Sequence, residues 1–412
     1  MTPEAARPVL LLSNGHGEDL SGSLLGRALR ERGVAVAALP LVGHGGPYRQ
    51  AGIPVLGRTR SYSTGGLGYT SFLGQLTELL QGQPLYFLRR LWLLQRLRQR
   101  FSLVVAVGDL LPVLAAWLSG APAAVYLVAY SSHYEGRLRL PWPCGWLLRR
   151  HRIQVVWSRD ALTAVDLSAQ LGREVRFLGN PFLDPVLNGG TAPAAAVQAP
   201  GLPQRLALLP GSRLPEALRN LELMLELLAL LPAPLRDGGR LRVQAALVRE
   251  LSANAIAAMA LPLGWRLQGE GLLSGHGLEL ELGWGRFSAI LSGADLVLSM
   301  AGTAAEQAVG LAKPVLQLAG RGPQFTEGFA EAQRRLLGPG LFCASGKPAS
   351  PEALANGARL AAELLNELAN PQRAPALHKH LAQEAERRIG APGGTQRMAE
   401  AIMALLPPSS HG

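Results

Sequence analysis

Val9-Leu10-Leu11-Leu12, then Ser13-Asn14-Gly15-His16-Gly17-Glu18-Asp19, then Leu20 to Arg32 closing at Gly33, read in that order as strand, glycine turn and helix. Val34 to Leu39 follows as a second strand. Short uninterrupted apolar strands alternating with helices belong to a parallel sheet covered on both faces. The pattern recurs at Leu103 to Val107, Ala123 to Val128, Val155 to Ser158 and Val175 to Leu178. The first half, residues 1–187, is therefore expected to be one doubly wound domain.

From Asn188 to Gln204 the chain is Gly, Ala, Pro and Thr without periodicity, the composition of a linker. The motif then restarts with strand Leu206 to Leu209, turn Pro210-Gly211-Ser212-Arg213 and a helix from about Pro215 to Leu231. Further strands are expected at Leu241 to Ala246, Leu296 to Ser299 and Val315 to Leu318. Residues 205–375 thus form a second parallel α/β domain, and 376–412 a helical segment and tail that packs back on the first. The fold class is α/β with two Rossmann-like domains.

A length of 412 residues suits two domains, and 48% hydrophobic with 17% charged residues excludes a disordered chain. Two cysteines, Cys144 and Cys343, are too few for a disulfide framework or a cysteine zinc site and fit a reducing compartment. The net charge of +11 rests on arginine, since Lys313, Lys347 and Lys379 are the only lysines. Arginine grips phosphate bidentately, which points to a nucleotide, an anionic membrane or nucleic acid; a genome bias toward Ala, Gly, Leu, Arg and Pro explains the same excess without any partner. No signal peptide is expected, because Val9 to Leu12 runs into a polar stretch rather than a cleavage site. Leu103 to Tyr130 is interrupted by Asp109, Pro112, Gly120 and Pro122, so any membrane contact is expected to be peripheral.

Two segments carry the strongest chemical signal: Leu209-Pro210-Gly211-Ser212-Arg213 and Ser299-Met300-Ala301-Gly302-Thr303-Ala304-Ala305-Glu306. Each sits where a strand hands over to a helix, at the carboxyl edge where open α/β sheets bind ligands. Gly302 and Thr303 would open a helix whose free N–H groups favour a diphosphate, Arg213 would add a planar cation, and Glu306 could accept from a ribose diol. Ordinary helix initiation is the competing reading of either turn alone.

In the first half, Asn14 to Asp19 is neither a Walker A loop nor a clean dinucleotide fingerprint. His16, Glu18 or Asp19 could bind a hydroxylated substrate or transfer a proton, while helix capping is the alternative, preferred for Asp19. Asp109 in Val107-Gly108-Asp109 follows a strand and is expected to face the cleft between the domains, either as a general base of raised pKa or as a helix cap. His133, on a polar loop, is a weaker candidate, and a structural or surface role is expected for it. No Asp-x-Asp occurs, and the His378-x-His380 pair is expected to be solvated, so no metal is expected.

Leu85 to Phe101 interleaves Tyr86, Phe87, Leu88, Leu91, Trp92, Leu93, Leu94 and Leu97 with Arg89, Arg90, Arg96, Arg98 and Arg100, without an acid. Such a helix can lie on an anionic bilayer, with Arg137 to Trp146 continuing the patch, or be a core helix whose arginines snorkel.

Phe177-Leu178-Gly179-Asn180-Pro181-Phe182-Leu183-Asp184, followed by Leu209 to Arg213 with Glu216 and by Ala301 to Glu306, resembles the lipid-A-disaccharide synthase family, and more closely its cyanobacterial lipid-A-disaccharide-synthase-related proteins. The resemblance implies a GT-B fold and an inverting, metal-independent glycosyltransferase of the cytoplasmic membrane face. In that family an acylated glucosamine passes from UDP to an acylated glucosamine phosphate. By motif, Ser212, Arg213, Gly302, Thr303 and Glu306 would hold UDP, Glu18 would lie near the sugar, and Asp109, or alternatively His16, would be the base. The chain departs from the synthase at Tyr130 to Gly136, where an aromatic Trp-rich segment is expected, and in its Gly15 to Asp19 opening. Both changes concern the acceptor. A UDP-sugar epimerase of the same fold and a non-catalytic nucleotide-sugar-binding protein remain alternatives. The expected partners are a UDP-sugar, a lipid-linked acceptor and an anionic membrane; nucleic acid is not expected, and a homodimer is left open.

Overall fold

The computed structural model describes residues 7–57, 59, 83–97, 100–134, 136–187, 202–322 and 325–407. The chain falls into two compact units, one ending at Asp184 and resuming at Gly390, the other Pro185–Ile389. Asn188 to Gly201, most of the expected linker, lies outside the described residues.

The first unit is built on β1 (Val9–Ser13), β2 (Val36–Pro40), β3 (Leu103–Val107), β4 (Ala123–Leu127), β5 (Ile153–Ser158) and β6 (Arg176–Phe177), in the order β2-β1-β3-β4-β5-β6. Every pairing is parallel. β1 to β4 are buried along their whole length, which is why they read as unbroken apolar runs. Because β2 and β3 flank β1 on opposite sides, the chain reverses direction there. The carboxyl ends of β1 and β3 consequently bound a topological switch point, where such sheets take ligands.

The second unit carries β7 (Gln204–Leu209), β8 (Leu241–Leu247), β9 (Arg266–Gln268), β10 (Leu272–Gly275), β11 (Leu278–Trp284), β12 (Leu296–Ser299), β13 (Val315–Gln317) and β14 (Leu341–Cys343). Their order is β14-β13-β12-β7-β8-β11-β10-β9, so the switch point lies between β7 and β12. The sheet is parallel except at one edge, where β10 pairs antiparallel with β11 and β9. That edge corrects the expectation of a wholly parallel second half. Its signal was the period-two run Leu278-Glu279-Leu280-Glu281-Leu282, whose leucines are buried while Glu279 is exposed.

The C-terminal region also divides. Helix Ala374–Arg388 belongs to the second unit, and only helix Gly394–Met403 packs back on the first, along helix His16–Glu31. Arg32 Nη2 closes this contact by donating to Gln396 Oε1 at 2.6 Å. Among the described residues no helix is long and apolar enough to cross a membrane.

Candidate functional site

In the second unit the loops after β7 and β12 are fastened to each other by backbone and buried amides. Met300 N donates to Leu209 O at 2.9 Å. Asn220, on helix Glu216–Ala229, donates through Nδ2 to Pro210 O at 2.9 Å and reaches Met300 O at 3.4 Å, so one side chain holds both loops. Gly211 has φ +104°, a region that favours glycine, and Met300 O would lie 3.4 Å from any Cβ there. Gln333 Nε2 donates to Gly302 O at 3.0 Å, and Glu216 Oε1 accepts from Phe325 N at 2.9 Å, tying a third loop to the same floor. Asn220, Gln333 and Glu216 are all buried.

Helix Thr303–Gly310 starts on Gly302 with no side-chain cap. Helix His16–Glu31 starts the same way on Gly15. Asp109, Asp160, Ser252, Thr326 and Ser350 cap their helices with side-chain oxygens, while helices Glu216–Ala229, Phe287–Gly293 and Ala374–Arg388 also begin without one. The two helices that open at the switch points both begin on a glycine that brings no side-chain cap of its own, with the positive end of the helix dipole behind it. Ser212 is exposed beside this floor, and Arg213, Thr303 and Glu306 are half-buried. The structure thus brings the Ser212-Arg213 turn and the Gly302-Thr303 turn to one switch point, with Glu306 one turn into the helix.

At the first unit's switch point Asn14 Nδ2 donates to Asp109 Oδ1 at 2.7 Å, bridging the ends of β1 and β3. Asp109 is the N-cap of helix Leu110–Leu118, accepting from Leu111 N at 2.9 Å, also on Oδ1. Burial raises its carboxyl above the usual range, against these two hydrogen bonds. Gly108, at φ +142°, must be glycine, because a Cβ would collide with Asn14 Oδ1. The Glu18 carboxylate folds back over Gly15 in the same way. His16 begins the helix, and its side chain lies outside the described residues.

Asp19 does not cap its helix. It is buried, accepting from Ser13 Oγ at 2.6 Å, and Ser13 Oγ shares a 2.8 Å hydrogen bond with the hydroxyl of buried Tyr48. Burial above all, opposed by Ser13 and reinforced by Glu18, pushes the Asp19 carboxyl up to about 7. Sequence reading missed Ser13 and Tyr48 because they lie 35 residues apart and neither type signals the other. His133 has its Nε2 3.8 Å from the buried Asp160 carboxylate.

The Phe177 to Asp184 motif performs a local structural task. Asn180 accepts from Tyr126 Oη at 2.5 Å and donates to Arg159 O at 2.9 Å. Asp184 accepts from Gly393 N at 2.7 Å and Thr395 N at 2.8 Å, capping helix Gly394–Met403 from more than 200 residues away in sequence.

Helix Gln83–Arg96 departs from a simple amphipathic face. Arg90 is buried and donates to Leu56 O at 2.8 Å, so it is removed from the expected surface patch. Leu94 is buried as well, whereas Leu88 and Trp92 are exposed and Arg96 stacks on Trp92 at 3.4 Å. The side chains of Tyr86 and Phe87, and Arg98 itself, lie outside the described residues. Trp142 is 89% exposed, and Trp146 is covered by Arg150 at 3.7 Å and packs on Trp117 of helix Leu110–Leu118. Helices Gln83–Arg96, which carries Trp92, and Cys144–Leu148, which carries Trp146, both pack against Leu110–Leu118. Among the described residues no three His, Cys, Asp or Glu side chains gather as a metal site.

No protein-family model and no curated protein matches the chain. Solved structures do. MnaA of S. aureus in complex with UDP matches at 14% identity and TM-score 0.58, covering 98% of this chain and 100% of that one. UDP-GlcNAc 2-epimerase from Neisseria meningitidis bound to UDP-GlcNAc matches at 15% identity and TM-score 0.52 over 96% and 100%. The spinosyn rhamnosyltransferase SpnG, complexed with spinosyn aglycone, matches at 14% identity and TM-score 0.54 over 96% and 100%. At such identities the likeness establishes the fold: two Rossmann-like units of the GT-B type.

Proposed function

We propose that the protein is an inverting, metal-independent glycosyltransferase that moves a sugar from a UDP-sugar to a lipid-linked hydroxyl at the cytoplasmic face of a membrane, in the manner of the lipid-A-disaccharide synthases. The observation that carries the reading is the second unit's switch point, where Asn220 spans both glycine loops and the Gly302 helix start has no side-chain cap. A diphosphate placed there meets backbone amides, a helix dipole and the Arg213 guanidinium. These groups stabilise the charge that grows on departing UDP without a metal. Ser212 and Thr303 contribute hydroxyl donors, and Glu306 accepts from the ribose. Two of the UDP-sugar enzymes sharing the fold were solved with UDP or a UDP-sugar, which supports this donor class.

In the first unit Asp109 has both its cap and its Asn14 bond on Oδ1. Its Oδ2 takes the acceptor's proton, with His16 the alternative base and Glu18 near the sugar. The membrane part of the reading rests on residues 83–159, which hold eleven arginines, no lysine and two acids, nine of the chain's +11 charges. Exposed Leu88, Trp92, Trp142 and Trp146 stand among these guanidiniums, a composition suited to an anionic bilayer.

A UDP-sugar epimerase draws on the same turn and on the epimerases that share the fold, and needs no lipid. The experiment is incubation of the full chain with a panel of UDP-sugars, with and without total lipid extract, following UDP release and new glycolipid. UDP release that depends on lipid supports the transferase. Isomerised UDP-sugar without lipid identifies the epimerase, and UDP binding without turnover identifies a binding protein.

A further inference from the structure

We propose that Asn14 is a positioning residue of the first unit's site: its carboxamide holds the Asp109 carboxylate by Oδ1 and leaves Oδ2 as the oxygen that meets the substrate hydroxyl. The inference rests on the proposed function in taking Asp109 as the base.

The bond does more than fasten two strands. β1 and β3 are already in register through Ser13 and Val107, the residues directly before the two loops, so the strand ends need no further tie. The helix cap is complete without it as well, because Leu111 N supplies the donor that an N-cap oxygen takes. Asn14 Nδ2 adds a second donor, at 2.7 Å, to that same oxygen. In doing so the carboxamide forgoes a partner of its own: Asn14 Oδ1 is buried and has no donor among the described residues. A buried amide oxygen left in this way is costly, which marks the carboxylate as the group that orients the side chain. Asn14 Oδ1 lies against Gly108, whose φ of +142° and missing Cβ make the room.

A neutral donor suits a base better than a cation does. Arginine or lysine on Asp109 would stabilise the carboxylate so strongly that it became a weak base, whereas an amide supports the ionised form in apolar surroundings and still lets it take a proton. Among the described residues no cation is hydrogen-bonded to Asp109; its partners are Asn14 and Leu111 N. Helix Leu110–Leu118 itself has no ionisable side chain, and Tyr130 Oη, from the loop after β4, accepts from Leu110 N at 3.1 Å. Helix Cys144–Leu148 brings Cys144, whose thiol is pushed up to about 12 by burial and then by Asp109, so it stays neutral. On helix Gln83–Arg96, Arg90 is engaged by Leu56 O and Arg96 by Trp92, while Arg89 is exposed. Helix His16–Glu31 contributes Glu18, folded over Gly15, and His16, whose side chain lies outside the described residues. In the transfer, the hydroxyl oxygen bonds the anomeric carbon, UDP leaves with the electrons of the bond it loses, and the hydroxyl proton passes to Asp109 Oδ2. Asn14 and Leu111 keep their bonds to Oδ1 throughout, so the carboxyl group needs no reorientation.

The test is ¹³C NMR of the full chain labelled at aspartate carboxyl carbons, titrated from pH 3 to 9, with the Asp109 resonance assigned by its loss in Asp109→Asn. Asn14→Ala removes one hydrogen bond to the ionised form and is expected to raise the Asp109 midpoint by about one pH unit, a tenfold tighter proton. An unchanged midpoint would overturn the proposal. Asn14→Leu, close in shape and without a donor, repeats the measurement should Asn14→Ala fold poorly. The wild type gives a reading that needs no variant: the Asn14 side-chain amide protons are expected to titrate together with the Asp109 carboxyl, and amide shifts indifferent to it overturn the bond. With UDP-sugar and lipid extract, Asn14→Ala is expected to move the acid limb of the kcat profile upward by the same amount, with KM for the UDP-sugar unchanged and activity recovered as pH rises. A residue with a structural role alone would lower kcat evenly at every pH, and that result overturns the positioning role. A wild-type chain that binds UDP without turnover overturns the proposed function instead, and the titration, which needs no substrate, still decides the hold of Asn14 on Asp109.

Discussion

Asn14 Nδ2 donates to Asp109 Oδ1 at 2.7 Å, so the loop after the first strand grips the acid that caps the helix after the third. Asp109 therefore has a structural task as well as its proposed chemical one, and substitutions separate the two. Asp109→Asn keeps an oxygen for Leu111 N and is expected to lose less than about 1 kcal/mol, whereas Asp109→Ala loses the cap and about 1–2 kcal/mol. If Asp109 is the base, both abolish glycosyl transfer at any pH. Chemical denaturation alongside UDP-release kinetics reads the two effects separately.

Gly302→Ala distinguishes ligand recognition from folding in the second unit. Gly302 has φ −76°, and a Cβ would meet only Phe329 at 3.5 Å, an ordinary contact. The fold is expected to keep its stability within about 0.5 kcal/mol. In the proposed site a diphosphate approaches the same Cα, so UDP affinity is expected to drop at least tenfold by calorimetry. Arg213→Lys, which keeps the charge and loses the planar fork, is expected to weaken UDP binding and to lower turnover by about a hundredfold.

Stability should fall as pH rises through the window set by Asp19. Its carboxyl is raised from 3.8 to about 7, so between these values the native chain binds more protons than the unfolded one. The stabilisation is complete below the unfolded pKa and is lost as pH rises through the native one. Scanning calorimetry is expected to give a lower melting temperature at pH 8 than at pH 5, and Asp19→Asn to flatten that decline. An equal slope in the variant would assign the effect elsewhere.

Asp184→Ala removes the acceptor of two helix N-terminal amides. The expected loss is about 1–2 kcal/mol, confined to the first unit. Hydrogen exchange is expected to show faster labelling of Gly394–Met403 and of the helix beneath it, with the second unit unchanged.

Vesicle flotation tests the arginine-rich layer. Replacing Arg149 and Arg150 by Glu is expected to weaken partition onto anionic vesicles by at least fivefold for each arginine, at about 1 kcal/mol per residue. Raising salt from 0.1 M to 1 M should have the same effect in the wild type, while neutral vesicles should retain little protein at any salt.

The strands of the first sheet, and β7, β8, β12 and β13 of the second, were legible as apolar runs, whereas β9, β10, β11 and β14 were not read, being short or alternating. The glycine turns were legible too, since glycine at a strand end followed by a helix has few meanings. The floor beneath them was not: Gln333 meets Gly302 across 31 residues, and nothing in either neighbourhood points to the other. Asp19 looked like a cap by position, yet a hydroxyl at the end of β1 and another from Tyr48 drew it inward. Arg90 looked like surface because arginine usually is, but Leu56 O lies within its reach.

The amino-terminal unit is completed by residues that the ribosome delivers after the second unit. Helix Gly394–Met403 reaches its seat on helix His16–Glu31 only after the whole second unit has been synthesised, and Asp184 must wait some two hundred residues for the amides it holds. Nascent chains of the first unit will thus expose that helix surface to chaperones until Gly394–Met403 has been made, and truncation before Gly394 will harm the half of the molecule farthest from the cut in sequence.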